Sequence, residues 1–246
     1  MRVTFDSNAW EKIFDPVDRD WVSIRSAIEC GRITGFICEA GFRIEAIRKS
    51  ERSAYFAEPA VDMQFPLSIV MRDGKPYVHL MSIGPDDERH PGLPEVQSKK
   101  LKNALAAGMR LMRGAAWLGL PCPAEIRDPA LFAQTSDNER EQRQIDAFAG
   151  IEARGVGKAA FDAAGGWNAA VGAHSTEKAF HKACAEWADG ELVAAHIAYQ
   201  NDILCTNDLA RAAGNSIFDL TNRAWLATEF GVRFATLEQL REQLTN

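Results

Sequence analysis

The sequence predicts an α/β protein built on a parallel sheet. Three observations predict it. The first fifty residues run strand, helix, strand, helix, which is the order of parallel α/β units. The strand candidates are short and mostly apolar, as expected where both faces of a strand are covered. The same alternation returns after Asp189, with strands at Asp202–Cys205 and Gly231–Thr236.

Residues 2–5 form the first candidate strand, and Asp6-Ser7-Asn8 supplies short polar side chains that cap a following helix. Trp21, Val22, Ile24, Ala27 and Ile28 fall at helical spacing and predict a helix over about 18–30, ended by Gly31. Arg32–Cys38 reads as the second strand. A helix carrying Glu39, Phe42, Ile44, Glu45, Ala46 and Ile47 follows it. The pattern then changes. Leu67–Met71 and Pro76–Leu80, joined through Asp73-Gly74, predict a β-hairpin. Residues 96–119 read as one helix with Leu101, Leu105, Met109 and Met112 on one side, stopped by Pro121-Cys122-Pro123. Residues 128–150 read as a solvated loop and helix. Residues 151–188 are Ala- and Gly-rich and helical in tendency, broken at Gly165-Gly166. Helices are then expected at about 191–200, 220–230 and 237–244. The simplest organisation is an α/β domain made of 1–52 plus 186–246. Residues 53–185 are then a mainly helical insertion with a hairpin, partly packed on the sheet.

The chain has 246 residues, 46% of them hydrophobic, enough for one large core. Its net charge of −6 argues against a protein that coats nucleic acid by bulk charge, although a local basic patch is compatible with it. The five cysteines have no metal-ligand spacing and an odd count, which predicts reduced thiols and a cytoplasmic setting. No apolar run is long enough for a membrane span.

Two short strands end in similar polar tips. One reads Phe5-Asp6-Ser7-Asn8 and the other Cys205-Thr206-Asn207-Asp208. As neighbours in a parallel sheet they place Asp6 and Asp208 in one crevice. Carboxylates gathered there suit Mg²⁺ or Mn²⁺, which prefer hard oxygen ligands.

These tips, the helical segment Val193–Ala198 and the closing Gly231-Val232-Arg233-Phe234-Ala235-Thr236-Leu237 resemble the PIN domain family, over about residues 1–52 and 186–244. The resemblance implies a three-layer α/β/α fold and a Mg²⁺- or Mn²⁺-dependent ribonuclease, including VapC-type toxins. It also implies an RNA substrate, an antitoxin protein partner and a homodimer. The chain is nearly twice as long as a free-standing PIN toxin because of its middle segment.

The family uses three or four acids at the carboxyl edge of the sheet. Asp6 matches the first, with a plain helix cap as its bland reading. Glu45 is the candidate for the second, with Glu39 as runner-up and a solvated helix face as the alternative. Asp189 or Glu191 supplies the third, at the expected start of a helix. Asp208 matches the last, with a turn residue as the alternative. Asp202 opens its strand and belongs to the opposite edge. Asn8, Thr206 and Asn207 are supporting groups that orient carboxylates, water or phosphate, or serve only as caps. Arg43, Arg48, Lys49 and Arg52 flank Glu45 as candidate RNA contacts, as do Lys99, Lys100 and Lys102 elsewhere. His196 reads as a packed core histidine. His174 and His181 read as surface residues. Gly155-Val156-Gly157-Lys158 lacks phosphate-loop spacing. Two other outcomes share the same carboxylates: a PIN-like module that binds without cutting, and a metal-dependent phosphatase.

Overall fold

Strict alternation along the central strands decides the architecture. The computed structural model describes residues 1–47, 52, 55, 68–72, 75–79, 87–115, 120–134, 138–166, 177–208 and 216–245. Strand β1 (Arg2–Phe5) is the middle of a five-stranded, all-parallel sheet. On one side lies β2 (Thr34–Cys38) and beyond it β5 (Arg110–Met112). On the other lie β6 (Ile203–Cys205) and β7 (Phe234–Ala235). The order is therefore β5-β2-β1-β6-β7.

Successive side chains of a strand point to opposite faces. Val3, Phe5, Ile37, Leu111, Ile203 and Cys205 share one core. They pack with α1 (Ser7–Ile13), α2 (Val22–Glu29), α3 (Glu95–Ala106) and α8 (Leu237–Thr245). Phe36, Cys38, Met112 and Leu204 point into a second core. It is built with α4 (Asn138–Ala153), α5 (Lys158–Ala163), α6 (Glu177–Ala198) and α7 (Leu220–Phe230). Helices thus cover both faces, and the fold is the three-layer α/β/α arrangement expected. Asp202 accepts a 2.7 Å bond from the Arg2 amide and so sits at the amino edge, opposite the carboxyl edge of the sheet.

Some elements differ from the sequence reading. The helix expected over 96–119 ends at Ala106. Gly108 adopts φ +105°, a conformation that favours glycine, and the chain re-enters the sheet as β5. Met109 and Leu111 then face one core and Met112 the other, a period of two rather than 3.6. The helix expected from 191 begins at Glu177 and runs unbroken through Asp189-Gly190-Glu191. The boundary drawn between residues 185 and 186 therefore falls inside one helix, and β5 from the middle segment belongs to the main sheet. After β2 the described helical structure is a π-helical turn, Gly41–Glu45.

The hairpin forms from β3 (Ser68–Arg72) and β4 (Lys75–His79), antiparallel and separate from the main sheet. Its Asp73-Gly74 turn lies outside the described residues. All five cysteines are free. No helix among the described residues is long and apolar enough to cross a membrane.

Candidate active site

The sheet reverses its direction of growth between β1 and β6, since the chain fills β2 and β5 on one side before crossing to β6 and β7. Such a switch point opens a crevice at the carboxyl ends of the two strands. The register pairs Phe5 with Cys205, so the next residues, Asp6 and Thr206, meet at that crevice. The Asp6 amide donates to the Cys205 carbonyl at 3.0 Å, and the Thr206 amide donates to Ala235 at 3.0 Å.

Asp6 leaves the strand in an extended conformation and caps α1. One carboxylate oxygen accepts from the Ser7 amide (2.6 Å) and hydroxyl (3.2 Å). The other accepts from Asn8 Nδ2 (2.5 Å) and Thr206 Oγ1 (2.7 Å). Asn8 Oδ1 in turn accepts from the Asn207 amide at 2.9 Å, and Asn207 Oδ1 caps α8 through the Leu237 amide at 3.1 Å. The Asp208 amide donates to Thr206 Oγ1 at 3.0 Å. Asn8 and Thr206 therefore position the carboxylate, and Asn207 caps a helix and holds Asn8. They tie β1, α1, β6 and α8 to one carboxylate.

Asp6 is only 4% exposed. Burial raises its carboxyl above the ordinary range, against the hydrogen bonds from Thr206 and Ser7, and the nearby charge of Asp208 adds to the rise. Asp208 itself is exposed. Asp6 also lines a mainly apolar cleft, in which Phe5, Trp10, Ile37, Phe42 and Leu192 stand with Ser7, Gln97 and Asp189. Asp189 lines it from mid-helix in α6, so the helix start expected at this position is corrected.

Glu191 and Glu39 belong elsewhere. Glu191 is fully buried and accepts from the Ala115 amide (2.5 Å) and Trp187 Nε1 (3.3 Å). Glu39, 1% exposed, pairs with Arg43 at 3.0 Å and Arg113 at 3.2 Å and accepts from the Gly114 amide at 2.9 Å. Both line a second crevice with Arg43, Gly114 and Leu120. The expectation that Glu191 is a metal ligand is thus corrected, since one oxygen binds the loop after β5 and the other binds Trp187 of its own helix. Glu45 ends the π-helical turn, and its side chain lies outside the described residues.

The candidate RNA contacts Arg43 and Arg52 are also corrected, since each is 6% exposed. Arg43 binds Glu39 and the Leu120 carbonyl, and Arg52 donates to the carbonyls of Ile47 and His181. Arg48 and Lys49 lie outside the described residues. Lys99 and Lys102 are exposed on α3, while Lys100 pairs with Asp15 at 2.8 Å. His196 is the packed histidine expected, with Nδ1 at 2.9 Å from Thr4 Oγ1. His181 is half-buried rather than at the surface, and His174 lies outside the described residues.

One residue at the site escaped sequence reading. Arg223 of α7 donates through Nη2 to the Asp208 carbonyl and through Nε to Phe218 at 2.8 Å. Nothing in its local sequence separates it from an ordinary solvated helix cation.

Among the described residues no three His, Cys, Asp or Glu side chains form a preformed metal cluster. The Asp6 and Asp208 carboxylates at this edge are hard oxygen ligands of the kind Mg²⁺ or Mn²⁺ takes, and they stand among amide and hydroxyl donors. Comparison with protein-family models, curated proteins and solved structures gave no match.

Proposed function

We propose that the chain is a Mg²⁺- or Mn²⁺-dependent endoribonuclease of the PIN-like kind, with its site at the Asp6–Thr206–Asp208 edge. The observation that carries this reading is the convergence of Asp6, Thr206 and Asp208 at the switch point, with Asp189 on the neighbouring cleft. Asp6 and Asp208 would hold the ion, with Asp189 the third candidate and water completing the shell. A bound ion supplies charge neutralisation and lowers the pKa of a water ligand. Thr206 and Asn8 hold the Asp6 carboxylate in one orientation, as a metal ligand requires. A cation at Asp6 displaces one of its present donors, and the longest of these bonds is that of Ser7 Oγ. Within this reading, a toxin role restrained by an antitoxin follows the same resemblance.

Asp6→Asn and Asp208→Asn are each expected to lower cleavage of single-stranded RNA in Mn²⁺ by at least about a hundredfold, the loss of one transition-state charge interaction. EDTA removes wild-type cleavage. Mn²⁺ at about a hundred times its Kd stabilises the wild type by about 2.7 kcal/mol and the Asp6→Asn variant by much less. Undiminished cleavage by both variants in a clean preparation sinks the assignment.

A second reading has its own observation. Asp6 has its acceptor positions taken by protein donors, and Glu39 and Glu191 are committed to internal partners. A PIN-like module that binds RNA or protein without cutting accounts for that saturation. It predicts no Mn²⁺ stabilisation and intact RNA in a gel shift.

A further inference from the structure

Arg223 stands beside the acidic edge without forming an ion pair with it. Its Nη2 and Nε bind the carbonyls of Asp208 and Phe218, and its guanidinium lies over the rings of Phe234 at 4.6 Å and Phe218 at 5.7 Å. A guanidinium has five N–H donors. Among the described residues two are committed to those carbonyls, which leaves three along its edge. The aromatic faces and the carbonyls fix the plane, so little conformational freedom is left to lose on binding. The side chain is half-buried and linked to the backbone of the residue proposed to hold metal. Burial pulls its pKa below the usual arginine value, and the nearby charges of Asp208 and Asp6 oppose this.

A cation placed this way has two possible uses. It can neutralise the acids, or it can bind an anion brought next to them. Bonding to carbonyls rather than to the carboxylates favours the second, because the charge is left uncancelled at contact. We infer that Arg223 is a substrate-contact residue that grips a phosphate oxygen of a single-stranded RNA lying along the carboxyl edge of β6 and β7. Its planar fork suits two oxygens of one phosphate, which an ammonium matches less well. The inference rests on the proposed RNA-directed site, and it deepens that reading by naming a contact for the RNA backbone.

The test is RNA binding by the full chain in Ca²⁺, followed by fluorescence anisotropy over a range of salt, with RNA integrity checked on a gel. Arg223→Gln is expected to weaken binding by about tenfold, as for the loss of one charged hydrogen-bonding group. The slope of log K against log salt falls by about one, because one phosphate contact is lost. Arg223→Lys keeps the slope and loses part of the affinity. A folded Arg223→Gln variant with unchanged affinity and slope overturns the inference. Should that variant fail to fold, Arg223→Lys decides, because its stem still packs on Phe234, and unchanged affinity in it overturns the inference too. A wild type that binds RNA without cutting it in Mn²⁺ overturns the ribonuclease reading and leaves Arg223 standing. A wild type that binds no RNA overturns both.

Discussion

His196 shows how burial fixes the behaviour of a single residue. It is 2% exposed and faces Thr4 Oγ1, which also receives a 2.8 Å bond from Asn201. Burial pulls its pKa down to about 4, with a small opposing effect from Asp202. The unfolded chain takes up a proton near pH 6.5 while the folded chain does not. Stability is therefore complete above about pH 6.5 and falls as the pH drops toward 4. Over that window the loss is about 3 kcal/mol. Urea unfolding at pH 7 and pH 4.5 is expected to show it, and His196→Gln to remove most of it. At this scale the polar tips were legible because Asp6, Asn8, Thr206 and Asp208 are local motifs. Glu39 and Glu191 were not, because beside a local partner each is held by groups of the loop after β5, 74 to 76 residues away. Arg43 and Arg52 misled for the same reason: a sequence shows a cation but not the carbonyl that buries it.

Two helical glycines have opposite consequences at the scale of the element. Gly190 lies within α6, and a Cβ there would come within 2.8 Å of the Gly157 backbone. Gly150 lies within α4, and its Cβ would find only ordinary contacts, the nearest being Phe230 and Trp225 at 3.6 Å. Gly150→Ala is expected to stabilise by up to about 1 kcal/mol through helix propensity. Gly190→Ala gains the same propensity but forces the 155–157 loop away, for a net loss of about 1–2 kcal/mol. Thermal or denaturant midpoints of the two variants check the opposite signs. The same glycine explains why α6 was read as starting late. Asp189-Gly190 looks like a cap, yet the helix continues because the missing side chain serves packing. Likewise β5 is three residues of Arg, Leu and Met, without the β-branched pattern that marks a strand, and only Gly108 hinted at the break.

Glu39 acts on the whole molecule. It joins the end of β2, the π-helical turn through Arg43 and the loop after β5 through Arg113 and Gly114. Removing one partner of a buried ion network leaves charge uncompensated, so Glu39→Ala is expected to cost about 3–5 kcal/mol. Denaturant unfolding measures this, and Mn²⁺ stabilisation of the folded fraction is expected to persist, because Glu39 stands outside the Asp6 crevice. The layer architecture was legible because both chain ends carry the α/β alternation. The share of the middle segment was not, because joining a sheet edge depends on distant pairing rather than on local pattern.

The pairing of β1 with β6 spans 200 residues. During synthesis β1 and β2 emerge early and can dock, but the other edge of β1 stays open until residues 203–205 leave the ribosome. Closing so distant a pair is slow, because much chain entropy is lost before the contact is made. Asp6 and Asp208 are therefore kept apart until the second strand of the pair has been made. A ribosome making this chain is not exposed to a completed acidic edge until residues 203–208 have emerged.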